Sequence, residues 1–175
     1  SSSSSTSSAR IFFLTGATDG IGKHTAGKLA SDGHRLLIHG RKEADDPAVI
    51  SLVESLRERG AADVDYIRAE LGDLEQVAAL AEAAARLTDR VDVLVNNAGV
   101  FDPPQERSAS GYDTTWAVNV LAPFKLTRLL LPLLAKGRAP RVVTTSSISQ
   151  SYALPEGLEE VGLAGGAHSG AHAAY

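Results

Sequence analysis

From Leu14 to Gly22 the chain reads Leu-Thr-Gly-Ala-Thr-Asp-Gly-Ile-Gly, set between the apolar tetrad Ile11-Phe12-Phe13-Leu14 and a helix-compatible segment over residues 21–31. A buried strand, a tight glycine turn and a helix start in direct succession leave little freedom of fold. The first glycine permits the turn, and the later ones let the backbone approach a ligand and the helix pack on a sheet. Unpaired N–H groups at the helix start face an anion, and the helix dipole favours negative charge there. Such a turn suits the bridging phosphates of a dinucleotide. Its spacing, one glycine, three residues and then Gly-x-Gly, differs from the commoner G-x-G-x-x-G, and glycines also serve ordinary turns. The reading needs support from elsewhere in the chain.

Beyond the turn, short apolar runs alternate with longer amphipathic ones. Residues 11–14, 36–38, 64–67, 91–95 and 142–145 read as strands, and residues 21–31, 48–59, 74–88 and 112–134 as helices. Five strands separated by four helices predict an α/β fold, a Rossmann-type doubly wound parallel sheet that stops after its fifth strand. Ligands are then expected outside the carboxyl ends of the strands. The third helix shows the period: Val77, Leu80, Ala81, Ala84 and Leu87 make one stripe, with Asp73 as its cap and Gln76 three residues on. Gly60 ends the second helix, and Asp102-Pro103-Pro104 breaks the chain after the fourth strand.

The 175 residues, 43% of them apolar, suit one core and one domain, placed at residues 10–175. A net charge of −4 gives no nucleic-acid or anionic-membrane surface. No uninterrupted apolar run reaches bilayer length, so no membrane segment is expected. Cysteine is absent, which removes disulfides and thiol chemistry. Residues 1–9, nearly all serine, read as a disordered leader, either a linker or the remainder of a transit peptide. Methionine is absent even at position 1, so the natural start is unseen and the compartment open, a soluble intracellular one being the default.

Three further clusters fall at predicted strand ends. After the second strand stands His39-Gly40-Arg41-Lys42, without the carboxylate that would hold the ribose 2′-hydroxyl of NAD. Arg41 offers a planar fork for phosphate and Lys42 a point charge, which favours NADP(H); two cations after a strand also describe a solvated turn. After the fourth strand come Asn96-Asn97-Ala98-Gly99, amides able to tie strand ends together beside small residues that leave room for a flat ligand. The fifth strand ends in Thr144-Thr145-Ser146-Ser147, hydroxyls that can orient a substrate oxygen or bond their own backbone. His168 and His172 stand four apart among glycines, which reads as a loop and not a metal site.

These residues together resemble the short-chain dehydrogenase/reductase superfamily. The resemblance rests on Thr15-Gly16-Ala17-Thr18-Asp19-Gly20-Ile21-Gly22, Asn96-Asn97-Ala98-Gly99, Asn119 within Trp116-Ala117-Val118-Asn119-Val120, and Thr145-Ser146-Ser147, in order and at the expected intervals. It covers nearly everything from Arg10 onward. Gly20 to Ala26 and Val118 to Thr127 look most like the retinol-dehydrogenase-like branch. The resemblance implies an oxidoreductase that interconverts a small-molecule alcohol and a carbonyl with NADP(H). Thr15, Gly16, Thr18, Asp19, Gly20, Ile21 and Gly22 would hold the pyrophosphate, and Arg41 and Lys42 the 2′-phosphate. Glu70 and Leu71 would lie against adenine, with Asn97, Ala98 and Gly99 along the cofactor.

For catalysis the resemblance implies Asn119, Ser147 and Tyr175. The tyrosine hydroxyl transfers the proton, the serine orients the substrate oxygen, and the asparagine holds a water of the proton relay. Tyr152 fails the motif, since Glu156 and not lysine stands four residues later. Tyr175 has the spacing of the branch, 28 residues after Ser147, and the lysine expected four positions later is not in this sequence. The alternative is therefore a catalytically incomplete fragment that binds a dinucleotide, or a partner through an open strand edge. Dimers are common in the family, so the resemblance allows a homo-oligomer, while the sequence leaves the oligomeric state open.

Overall fold

In a computed structural model that describes residues 9–147, β1 (Ile11–Leu14) is the middle strand of a five-stranded parallel sheet. The others are β2 (Arg35–Gly40), β3 (Asp63–Arg68), β4 (Val93–Asn96) and β5 (Arg141–Thr144), in the order β3-β2-β1-β4-β5. All four strand pairings are parallel, and Phe12 is registered with Leu36 on one side and Val93 on the other. The chain runs outward from β1 to β3, then returns to β4 and continues to β5. The order therefore reverses between β1 and β4, where their carboxyl ends part to make a crevice.

Helices cover both faces. Leu36, Leu37 and Ile38 are fully buried, as a strand covered on both sides requires. Leu36 and Ile38 join Leu14, Ala26, Leu52 and Leu56 beneath α1 (Gly20–Ser31) and α2 (Pro47–Glu58). Leu37 points the other way, joining Phe13, Leu80, Leu94 and Leu126 beneath α3 (Leu74–Leu87) and α5 (Ala122–Leu134). The period of two along each strand thus divides one apolar run between two cores.

Element ends follow local chemistry. Asp46 and Asp73 cap α2 and α3, each accepting a hydrogen bond from a backbone N–H two residues on, at 2.8 and 3.0 Å. Gly60 closes α2 with a φ of 108°. The fourth strand begins at Val93, two residues later than its apolar pattern predicts. Asp92, just before it, keeps backbone bonds to Ile11 and Arg141, and its carboxylate also accepts from Ile11 N–H at 2.7 Å and from Arg138 N–H at 2.5 Å.

The fourth predicted helix differs most. It starts at Thr114 as the short α4 (Thr114–Trp116), passes through a π-helical turn (Ala117–Leu121) and continues as α5. Together these give 21 helical residues, whose most apolar 18-residue stretch has a mean hydropathy of 1.4, long and apolar enough to cross a bilayer by length and composition alone. Ala117, Val118, Ala122, Leu126 and Leu130 nevertheless face the sheet core, the ordinary reason for an apolar helix in a layered fold. Among the described residues β5 is bonded on one side only, to β4. Residues 1–8 of the leader, Tyr152, Glu156, His168, His172 and Tyr175 lie outside the described residues.

Candidate functional site

The turn after β1 is closed by bare backbone. Gly16 and Gly20 adopt φ of 66° and 49°, the left-handed region that favours glycine. Gly22 is required for a different reason: a Cβ there would lie 2.0 Å from the Gly16 carbonyl oxygen and 2.6 Å from Asn97 Nδ2. A Cβ on Gly20 would meet nothing within 4 Å, so this residue faces open space at the amino end of α1. Asp19 caps that helix, its carboxylate accepting from Gly20 N–H at 2.7 Å.

Thr15 and Asn97 lock the ends of β1 and β4 together. The Thr15 hydroxyl oxygen accepts from the N–H groups of Asn97 and Ala98 at 3.0 and 3.1 Å. Asn97 Nδ2 donates in return to the carbonyls of Thr15 and Gly16 at 3.1 and 3.2 Å. Thr145 Oγ1 donates to Asn97 Oδ1 at 3.3 Å, bringing the end of β5 into the same network. Asn96 Nδ2 donates to Thr127 Oγ1 at 3.1 Å and ties β4 to α5. The paired asparagines therefore tie strand ends, as amides at that place predict.

On the other side of the turn stands His39, a residue the sequence reading left without a role. It is 1% exposed; Nδ1 accepts from Gly16 N–H at 3.2 Å, and Nε2 donates to the Ala69 carbonyl at 3.1 Å. Burial holds this imidazole below its ordinary pKa, against the Ala69 bond and the Glu70 charge, which raise it; Arg41 adds to the lowering. Tyr66, also missed, donates its hydroxyl to the Lys42 carbonyl at 2.7 Å and packs against Gly40. Both contacts join residues more than twenty positions apart, and neither has a short-range sequence signal.

A cleft of about 510 Å³ runs over these groups. Gly16, Thr18, Asp19, Gly20, Ile21 and Gly22 form one wall, and Arg41, Glu70 and Leu71 another, with Asn97, Ala98 and Gly99 beneath. Arg41 is exposed and makes no ion pair among the described residues. Lys42 is not brought to the cleft: its ammonium lies 3.3 Å from Asp46, four residues on. Leu71 is buried, and Glu70 N–H donates to Gln76 Oε1 at 2.9 Å.

A second hollow of about 460 Å³ adjoins the first along Leu71, Asn97, Ala98, Gly99 and Thr145. It is lined by Asn119 from the π turn and by Thr144, Thr145, Ser146 and Ser147 from the end of β5. Asn119 Oδ1 accepts from Val100 N–H and Nδ2 donates to the Val100 carbonyl, both at 2.9 Å. Gly99 keeps this close approach open, since a Cβ there would meet Asn119 Oδ1 at 3.3 Å. The carboxamide thus holds the loop after β4, and its polar atoms are engaged by backbone. The π turn interrupts the i→i+4 ladder here, a feature that recurs at functional sites. Among the described residues no cluster of three His, Asp or Glu groups could hold a metal.

A family model described as short chain dehydrogenase matches residues 10–158. Polyprenol dehydrogenase of Mus musculus is 37% identical over 142 residues, covering 79% of this chain and 42% of that protein. Retinol dehydrogenase 12 of Bos taurus is 34% identical over 140 residues, covering 80% and 44%. The chain thus spans less than half the length of these relatives. Among solved structures, an NADH-dependent reductase A1-R′ complexed with NAD superposes with a TM-score of 0.69 at 28% identity, over 95% of this chain and 67% of that one. The RhlG/NADP active-site complex of Pseudomonas aeruginosa gives 0.69 at 28% identity, over 94% and 62%.

Proposed function

This chain belongs to the short-chain dehydrogenase family, with retinol dehydrogenases among its relatives, and from that premise we propose that it binds NADP(H) for the interconversion of an alcohol and a carbonyl. The observation that carries the reading is the convergence of the glycine turn, Arg41, Asn97 to Gly99, Asn119 and Ser147 on one continuous trough at the strand ends. The residues present fit a dinucleotide. Bare backbone at Gly16 and Gly20, with open space at Gly20 and the amino end of α1, suits a pyrophosphate. Leu71 supplies an apolar contact for adenine.

Arg41, exposed and bordering the cleft, would take the 2′-phosphate as a bidentate partner. Lys42 has no part in this reading because it faces Asp46. The structural neighbours are named for NAD in one case and NADP in another, so the preference for NADP(H) rests on Arg41.

When bound, the nicotinamide supplies the carbon that gives or takes hydride. In this reading Ser147, at the end of β5, donates a hydrogen bond to the substrate oxygen. Asn119 acts through the loop and turn that its side chain holds, and Tyr175 carries the proton to or from the substrate oxygen. A phenol needs a nearby cation to ionise near neutral pH.

Fluorescence titration with NADPH and NADH tests the cofactor assignment. NADPH should bind more tightly, and Arg41→Ala should weaken it about tenfold to a hundredfold while leaving NADH nearly unchanged. Equal affinities insensitive to Arg41→Ala would overturn the assignment to NADP(H). A second reading is a dinucleotide-binding protein without catalysis, favoured by the single bonded side of β5 among the described residues. Turnover of any alcohol or carbonyl with NADP(H) by the purified protein would exclude it.

A further inference from the structure

His39 is fully buried, has both ring nitrogens engaged, and has no part in the reaction just described. Its position is unusual for a histidine, because it links three strand ends at once. The ring belongs to β2, Nδ1 receives the Gly16 N–H from the turn after β1, and Nε2 reaches Ala69 just past β3. The His39 carbonyl also accepts from Ala17 N–H at 2.9 Å, so two successive amides of the glycine turn are held by one residue. The acceptor role of Nδ1 determines the tautomer: the ring is neutral, with its proton on Nε2.

Resting on the dinucleotide reading above, we propose that His39 is a positioning residue for the cofactor. Its neutral ring holds the glycine turn in the shape that receives the pyrophosphate, and a second proton on the ring releases it. An imidazolium would set Nδ1–H against the Gly16 N–H, donor against donor, in a site with no room for water between them. The turn cannot yield locally, since Gly16 is packed on Ala98 so closely that a Cβ would lie 2.8 Å from Ala98 Cα. Movement of Gly16 would therefore pass to Ala98, which lies under both hollows.

Glu70 and Arg41 are the charged groups acting on the ring, the first favouring its cation and the second opposing it. Burial outweighs Glu70, so the neutral form persists below the ordinary imidazole range. Cofactor affinity is then full at neutral pH and falls on acidification.

Calorimetric titration with NADP⁺, which tolerates acid, between about pH 7.5 and 4.5 tests this. The wild-type protein should lose affinity by about tenfold or more. His39→Gln keeps one acceptor and one donor at similar separation and does not titrate, so its curve should be flatter by that factor. The 2′-phosphate titrates equally in both titrations and cancels from the difference. On the wild-type protein, imidazole nitrogen resonances assigned to His39 by through-bond correlation with its own backbone should show the Nε2–H tautomer and a midpoint matching the loss of affinity. Parallel curves overturn the proposal. So does the Nδ1–H tautomer, or a ring that stays neutral while affinity is lost; these wild-type readings decide the matter even where the variant is unstable. Absence of NADP⁺ binding by the wild type at every pH overturns the dinucleotide reading as well, whereas the other failures leave that reading standing.

Discussion

Asn119 and Val100 exchange two hydrogen bonds, side-chain oxygen to backbone N–H and side-chain nitrogen to backbone carbonyl, each 2.9 Å long. An amide side chain paired this way behaves like a short rung of sheet between a helix and a loop. It joins the π turn, which interrupts the long helix, to the segment leaving β4 beneath the trough.

Asn119→Leu removes both bonds while keeping the side chain's bulk. The loss should destabilise the protein by about 1–3 kcal/mol, read by urea unfolding. Asn119→Asp keeps an acceptor for Val100 N–H but turns a carboxylate oxygen toward the carbonyl, and should recover little of the loss near neutral pH. Stability equal to the wild type in both variants would show that the exchange does not hold the loop.

Gly22 and Gly20 separate steric from torsional demand. Gly22→Ala drives a methyl into the Gly16 carbonyl and should cost about 1–3 kcal/mol of stability, with loss of dinucleotide binding. Gly20→Ala meets no protein atom, so its cost is that of a left-handed alanine, about 1–2 kcal/mol. Its methyl stands in the space proposed for the pyrophosphate, and binding should fall more than stability does. Thermal unfolding with and without NADPH compares the two.

Thr15→Val keeps the shape of the side chain and deletes the acceptor for the Asn97 and Ala98 N–H groups. The half-buried lock between β1 and β4 should weaken by about 1–2 kcal/mol, measured by chemical denaturation. Faster amide exchange at Asn97 and Ala98, against unchanged exchange in β3, would locate the effect; uniform acceleration would contradict it.

Asp92 should carry part of the acid sensitivity. Burial raises its carboxyl pKa, but the Arg138 and Ile11 N–H bonds and the Arg90 and Arg138 charges outweigh burial, and the net is a lowered value. A folded-state pKa below the unfolded one gives stability that is full above about pH 4 and is lost as pH falls through the folded value. Asp92→Asn should therefore destabilise most near neutral pH, with the gap to wild type shrinking below about pH 4. A gap that stays constant with pH would show that ionisation of Asp92 contributes nothing.

The alternation of strands and helices, the two-faced burial of β2, the Asp73 cap and the glycine turn were all legible along the chain. Each depends on residues within a turn or two of one another, where backbone geometry and the period of apolar residues act directly. Asn97 as a tie between strand ends was also legible, because its place after a buried strand put it at the carboxyl edge of a sheet. The role of Asp92 was not, since its carboxylate accepts from the N–H groups of Ile11 and Arg138, 81 and 46 residues away. The sequence pairs Lys42 with Arg41 as a phosphate ligand, and the structure turns its ammonium to Asp46.

Local sequence thus set which segments became strands and helices and which turn was left open for an anion, because those choices rest on near neighbours. Tertiary structure decided how the trough is held: His39 beneath Gly16, Tyr66 under the Arg41 loop, and Asn119 across to Val100. Each is a polar group with a partner at least 19 residues away, and only the packed layers bring that partner within reach.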